Sequence, residues 1–360
     1  MKQKVILLLV IGFAFIFSSL GIDGQQTDEP MVYAKGRWGP RKVVAMTRNI
    51  YVGGNVDRVI AAAPEDLVEA LMETLDELQS TNFPERAAAL AKEIKWWKPH
   101  LVGLQEISII DIHLPIFGLV FSFDYEDIFM ETLRSMGLEY YIAGKIQNTD
   151  ATVFLDADNY VRLIDFDVVL AREDVKTTRV DIGNYIARFT VPTIGVEVIR
   201  GYVAVDAEVG RKKYRFVNTH LEPFVDAVKM GQAMELMGIL AAETLPVILV
   251  GDFNAEAPDD PVYNFIVDSG YVDVWTRNLV KGNKNGYTSG FDPRLDDPND
   301  TLEKRIDLIF VRSNVWDNGM QDIGPVIAFV VGDEPRDMTP SGLWPSDHAG
   351  VIARLKIPAF

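Results

Sequence analysis

Short apolar runs that end on polar side chains punctuate this chain, and they predict most of its strands. Arg41 to Ile50 reads as a first strand with Asn49 at its end. From Pro64 to Gln79, Leu67, Leu71, Leu75 and Leu78 recur at three- and four-residue steps, the spacing of an amphipathic helix. A break at Ser80-Thr-Asn-Phe follows. Pro84 then opens a second helix, at a position where its missing N–H costs nothing, and Pro99 ends the segment beyond Trp97. Leu101 to Leu104 is a short strand closing on Gln105-Glu106, and Tyr125 to Met136 reads as a helix. The Val-Val-Leu run within Arg162–Arg172 argues for a further strand. Residues 197–209 and 213–220 form a predicted hairpin about Gly210-Arg-Lys. Asp226 to Glu243 is predicted helical and leads to a buried strand at Pro246–Val250. Strands outnumber helices, hairpins mix with β–α–β connections, and no repeat, low-complexity tract or linker divides the chain. One domain over residues 42–360 is expected, after a loose polar lead-in at 25–41.

The strand ends carry the candidate chemistry. Gly251-Asp252-Phe253-Asn254 follows the 246–250 strand, and alternation points residues two apart to the same side of an extended segment. A carboxylate and a carboxamide therefore emerge together. Similar ends are Asn49, Gln105-Glu106, Asn218-Thr-His220, Arg305-Ile-Asp307 and Ser346-Asp347-His348. With no Cys and four His in the chain, a structural zinc cage is disfavoured, and no His-Glu-x-x-His occurs. Carboxylates and carboxamides are hard oxygen donors suited to Mg²⁺, with Mn²⁺ or Ca²⁺ as alternatives. Glu106 is the foremost candidate metal ligand, with Asn49 and Asp347 beside it. His348 adjoins Asp347, and Asp307 lies where its carboxylate could reach the other ring nitrogen, the usual preparation of a general base. No phosphate-binding Gly-rich loop or nucleophile elbow is present.

In this order, the six strand ends resemble the endonuclease/exonuclease/phosphatase superfamily, from about Val43 to Leu355. The resemblance implies a four-layered α/β sandwich: two mixed, mainly antiparallel sheets face to face, flanked by helices. It also implies that His348 activates water for in-line attack on phosphorus and that Asp307 orients His348. His220 and Asn254 would then hold phosphoryl oxygens, and Asp252 would assist the attacking or leaving oxygen. Glu222 either orients His220 or is a solvated loop acid. Arg48 and Arg305 are candidate phosphate contacts, weighed against purely structural roles. The expected reaction is divalent-metal-dependent hydrolysis of a phosphoester, a diester by preference. An extracellular nuclease acting on DNA or RNA is the alternative, and a non-catalytic binding module that keeps the fold is the alternative from another class.

Charge and the N-terminus refine the expectation. Lys2 and Lys4 precede an apolar Val5–Leu20 core, with small residues at Ser19-Leu20-Gly21 and Gly24, so residues 1–24 read as a signal peptide. The alternative is an uncleaved anchor over Val5–Ile22, close to the minimum of about 17 apolar residues for a bilayer span. A secreted or periplasmic protein is expected, a monomer without stable membrane association once the signal is cleaved. The formal net charge of −17 becomes −18 when that segment, with two lysines and one aspartate, is removed. Such charge opposes non-specific nucleic-acid binding, so a small or lipid-derived phosphoester is favoured over duplex DNA. Ile107 to Met130 is rich in apolar and aromatic residues. It is read as core leading into a helix, with a lipid-touching hairpin as the alternative and His113 as structural.

Overall fold

Two sheets, buried on both faces at their central strands, arise where the apolar runs of the sequence alternate between opposite sides of a strand. The computed structural model describes residues 42–280, 285–317, 320–321 and 323–357; the expected signal peptide and the 25–41 lead-in lie outside the described residues. In chain order the main elements are β1 (Val43–Asn49), α1 (Val56–Ala61), α2 (Leu67–Ser80), α3 (Phe83–Trp97), β2 (Leu101–Gln105), β3 (Ile109–Leu114), β4 (Leu119–Asp124), α4 (Tyr125–Ser135), β5 (Tyr140–Phe154), β6 (Tyr160–Arg172) and β7 (Lys176–Asn184). There follow β8 (Gly201–Val209), β9 (Lys212–His220), α5 (Asp226–Leu240), β10 (Val247–Asp252), α6 (Pro261–Asp268), β11 (Asp307–Arg312), β12 (Ile327–Val331) and β13 (Gly350–Leu355).

The first sheet runs β12-β13-β1-β2-β6-β3-β4, with β5 on the other edge of β6. Both β2 and β3 pair with β6, Leu101–Leu104 against one half and Ile109–His113 against the other. They thus form one line along β6, interrupted at Glu106. The second sheet runs β11-β10-β9-β8-β7, with Val272–Asp273 outside β11. The β1–β2 and β9–β10 pairs are parallel and the other neighbours antiparallel. Alternation sends Val43 and Ala45 between the sheets, where they meet Val169, Val203, Phe216 and Ile248. Met46 points the other way, into a core of Leu75, Leu90 and Phe129 from α2, α3 and α4. Ala233 and Leu236 of α5 and Ile266 of α6 cover Val217, Leu249 and Phe310 of the second sheet. Helix, sheet, sheet, helix is the expected four-layered sandwich.

Local differences have local causes. The helix expected from Pro64 starts at Leu67, because Asp66 N bonds Ala63 O and closes a turn first. The Ile107–Met130 segment is the β3–β4 hairpin followed by α4. Ile110, Ile112 and Leu114 are core, as expected, while Ile116, Phe117 and Val120 at its tip are exposed. His113 stacks on Tyr160, a structural contact. No helix among the described residues is long and apolar enough to cross a membrane.

A polar bridge links the two sheets through their dry interface. Asn218 Nδ2 of β9 donates to Leu104 O at 2.9 Å and Val168 O at 3.0 Å, and its Oδ1 accepts from Gln105 Nε2 at 2.6 Å. Gln105 Nε2 also reaches Thr47 Oγ1 at 3.2 Å. Gly103 makes room: a Cβ there would stand 2.6 Å from Asn218 Oδ1 and 2.5 Å from Val250 Cγ2. Asn218→Leu would strand two carbonyl oxygens and the Gln105 amide, at a cost of roughly 1–3 kcal/mol per buried group. Urea unfolding of that variant is expected to show a loss of at least about 2 kcal/mol, with activity falling alongside it. An unchanged midpoint would mean that the bridge does not hold the sheets together.

Candidate active site

Backbone register assembles the site. His220 ends β9 opposite Asp252 of β10, and Asp252 in turn lies opposite Asp307 of β11, so three functional side chains form a row across adjacent strand ends. Gly251 allows the close approach, since a Cβ there would lie 2.0 Å from Thr219 O. From the facing sheet, Asn49 ends β1 beside Gln105 of β2. Asp347 and His348 precede β13, which pairs with β1. Glu106 and Asn254 have φ of 62° and 48°, left-handed conformations that ordinary side chains rarely adopt. Such geometry costs on the order of 1–3 kcal/mol and persists where surrounding contacts impose it.

Those contacts are specific. Asn49 Nδ2 donates to Glu106 Oε1 at 2.9 Å and Asp252 Oδ2 at 3.2 Å, and Val52 N donates to Glu106 Oε2 at 2.8 Å. Asp252 Oδ1 accepts from Asn254 N at 2.9 Å, and Asn254 Nδ2 donates to Leu221 O at 2.9 Å. His348 Nδ1 stands 2.8 Å from Asp307 Oδ2 and 3.8 Å from Asp252 Oδ2. Burial raises the Asp252 carboxyl, the Asp307 charge adds to this, and despite the opposing His348 it reaches about 7. Burial alone would lower His348, but Asp307, Asp347 and Asp252 overcome it and hold the imidazole well above its ordinary value. Asp347 is pushed up to about 6 by burial, with Glu106 adding to that push and His348 opposing it.

His220 differs in kind. Its Nδ1 is 3.0 Å from Arg200 Nη1, and its Nε2 is 3.6 Å from Asp252 Oδ2. A guanidinium can only donate, so Nδ1 must be the acceptor and the proton sits on Nε2. Burial first, then the Arg200 and His348 charges, lower the His220 pKa well below its usual value. The ring is a neutral donor aimed toward Asp252. Arg200 also lies 3.5 Å from Asp165 Oδ2, and Asn148 Nδ2 bonds both Asp165 and Asp167. Two clusters of potential ion-holding groups result, Asp252–Asp307–His348 and Asp165–Asp167–His220.

Arg200 was not foreseen. It lies just before β8 with no motif around it, whereas Asp165 and Asp167 lie two apart on β6, a spacing that puts them on one face of the strand. Other expectations need correcting. Arg48 is buried and forms a two-point pair with Glu93 at 3.1 and 2.9 Å, with a further bond to His348 O. Arg305 is buried and bonds Asp273 Oδ2 at 2.7 Å. Neither lines the cavity, so their donors serve the fold and not a phosphate. Glu222 neither touches His220 nor meets solvent; it is fully buried and accepts from Phe224 N at 2.9 Å.

Glu106, His220, Asp252, Asn254, Asp347 and His348 line one cavity of about 340 Å³, with Asn49 and Asp307 bonded directly behind them. The sequence matches the Endonuclease/Exonuclease/phosphatase family over residues 49–348. The chain belongs to that family. It is therefore a phosphoester-hydrolysing enzyme of a divalent-metal-dependent family. No curated protein matches the chain. Among solved structures, a family protein from Leptotrichia buccalis is 19% identical at a TM-score of 0.54, covering 87% of this chain and 99% of that one. One from Bacteroides vulgatus is 17% identical at 0.53, covering 88% and 99%. TDP2 of D. rerio, complexed with a single strand DNA product, is 18% identical at 0.50, covering 87% and 98%. These likenesses concern the fold.

Two variants separate the arginines. Arg200→Met is expected to let the His220 pKa rise and its tautomers mix, read from imidazole ¹⁵N shifts. The wild-type ring should stay neutral and Nε2-protonated near pH 7; a charged or Nδ1-protonated ring there would refute the assignment. Arg48→Met leaves the Glu93 carboxylate buried and alone, a change that typically costs about 3–5 kcal/mol. Chemical denaturation should show that loss, with KM for a small phosphodiester little changed.

Proposed function

We propose that this protein is an exported, divalent-metal-dependent phosphodiesterase acting on a small or lipid-derived phosphodiester. The convergence of Asn49, Glu106, Asp252, Asp307 and His348 at the end of both sheets carries the reading. Export rests on residues 1–24 of the sequence alone. The donors suit Mg²⁺: Asn49, Glu106 and Asp347 offer hard oxygens, and burial, with the Glu106 charge adding to it, raises Asp347, a cost that a divalent cation would relieve. Bound there, the metal supplies Lewis-acid stabilisation of charge developing on phosphoryl oxygens.

The chain's own groups do the rest. Asp307 occupies His348 Nδ1 and so leaves Nε2 as the position that takes a proton from water. Asp252 lies between the two imidazoles and orients the attacking or leaving oxygen. His220, neutral and protonated at Nε2, donates to a phosphoryl oxygen without carrying a charge into the buried site. Asn254 flanks Asp252 and completes the cradle for the phosphoryl group.

Hydrolysis of bis-p-nitrophenyl phosphate should require Mg²⁺ and stop with chelator. His348→Ala should lower kcat by roughly 10²–10⁴-fold. Because the carboxylates raise His348, activity should climb with pH as the imidazole loses its proton. Asp307→Asn removes one of those charges, so its acidic limb should move to lower pH while the plateau falls. Metal-independent turnover, or an acidic limb that moves upward in Asp307→Asn, would sink this mechanism.

A further inference from the structure

The catalytic groups occupy only part of the cavity's lining. Most of the remainder is apolar: Val56 and Ile60 of α1, Leu71 and Leu75 of α2, Ile110 of β3 and Leu163 of β6 face the same space, with Asn55, Asp57, Thr74 and Thr149 as polar exceptions among them. The segment between β7 and β8 adds Val191, Ile194, Val196 and Val198. Leu71, Leu75 and Ile110 are each 4% exposed and form its floor, while Phe224 at the rim is 37% exposed, so this is a recess that opens to solvent. Among the described residues, the lining holds one cation, Arg200, already engaged with His220 and Asp165, and no lysine.

A groove for a nucleic-acid backbone needs several Lys or Arg groups to replace phosphate counterions, and this one has none to spare. A recess walled mainly by aliphatic side chains gains free energy when an apolar group of matching size displaces water from it. The recess is continuous with the phosphoester site, so its occupant is part of the substrate. We propose that the substrate is a phosphodiester bearing one unbranched apolar chain, and that the chain lies in this recess while its phosphate faces His220 and His348. The inference rests on the phosphodiesterase reading and narrows its substrate class. In the reaction, water oxygen bonds to phosphorus and the bond to the leaving alcohol's oxygen breaks. The water proton passes to His348, and a proton ends on the leaving oxygen. The alkyl phosphate monoester remains.

The test uses the full chain with Mg²⁺ and p-nitrophenyl n-alkyl phosphates from methyl to decyl, all below their micellar concentrations. KM should fall by up to about fourfold per added methylene and then level off once the recess is full. Ile60→Trp, which takes up part of the space, should bring the plateau to shorter chains. Inhibition of the wild type by n-alkyl phosphonates of the same lengths should follow the same dependence, and it needs no variant to fold. A flat response to chain length in both series overturns this inference, as does preferential cleavage of plasmid DNA. Hydrolysis of bis-p-nitrophenyl phosphate without chain dependence leaves the phosphodiesterase reading standing. If no diester is hydrolysed, both fall.

Discussion

The Asn218 carboxamide, reaching from one sheet into the other, is the contact on which the site's geometry turns. Sheets that pack through aliphatic side chains alone can slide, because dispersion has no preferred direction. Asn218 bonds the backbone of β2 and β6 and the Gln105 amide, all in a dry interior where hydrogen bonds are strong and unmet ones costly. Thr47, Gln105 and Asn218 lie two, one and two residues before Asn49, Glu106 and His220. Fixing the first three fixes where the second three emerge.

Beyond that bridge the chain accepts strain. Tyr51, Glu106 and Asn254 all have positive φ, and all three line the cavity. Each is held by hydrogen bonds that a relaxed backbone would lose: Tyr51 N to Asn49 Oδ1, Val52 N to Glu106 Oε2, and Asn254 N to Asp252 Oδ1. The interruption at Glu106 turns a continuous line of strand along β6 into two segments and swings the carboxylate out at the break. Electrostatics then distinguish the imidazoles. Three carboxylates surround His348, whereas a guanidinium faces His220, so the surroundings favour the charged form of one imidazole and the neutral form of the other.

Much of this was legible in the residues. Continuous apolar runs mark strands buried on both faces, and here they end on the polar groups that converge, which is why the β1, β2, β9 and β10 ends could be read directly. Helices α2 and α3 declared themselves through leucine spacing and proline punctuation. Arg200 and the recess were not legible. A lone arginine carries no period, and the recess draws single aliphatic residues from many elements whose patterns say only that they are buried. The roles of Arg48, Arg305 and Glu222 depended on partners such as Glu93 and Asp273, distant in sequence and chosen by the fold.

The division of labour between strand ends and surrounding walls bears on how such a protein can diverge. The groups proposed to react stand on strand ends locked by cross-sheet bonds, so drift there would be punished by unfolding as well as inactivity. The aliphatic walls come largely from α1, α2 and the 191–198 segment, outside that lattice. If those walls hold the substrate as proposed, exchanges of size or shape in them would alter which molecules enter while the reaction stays intact, and substrate preference could evolve faster than chemistry.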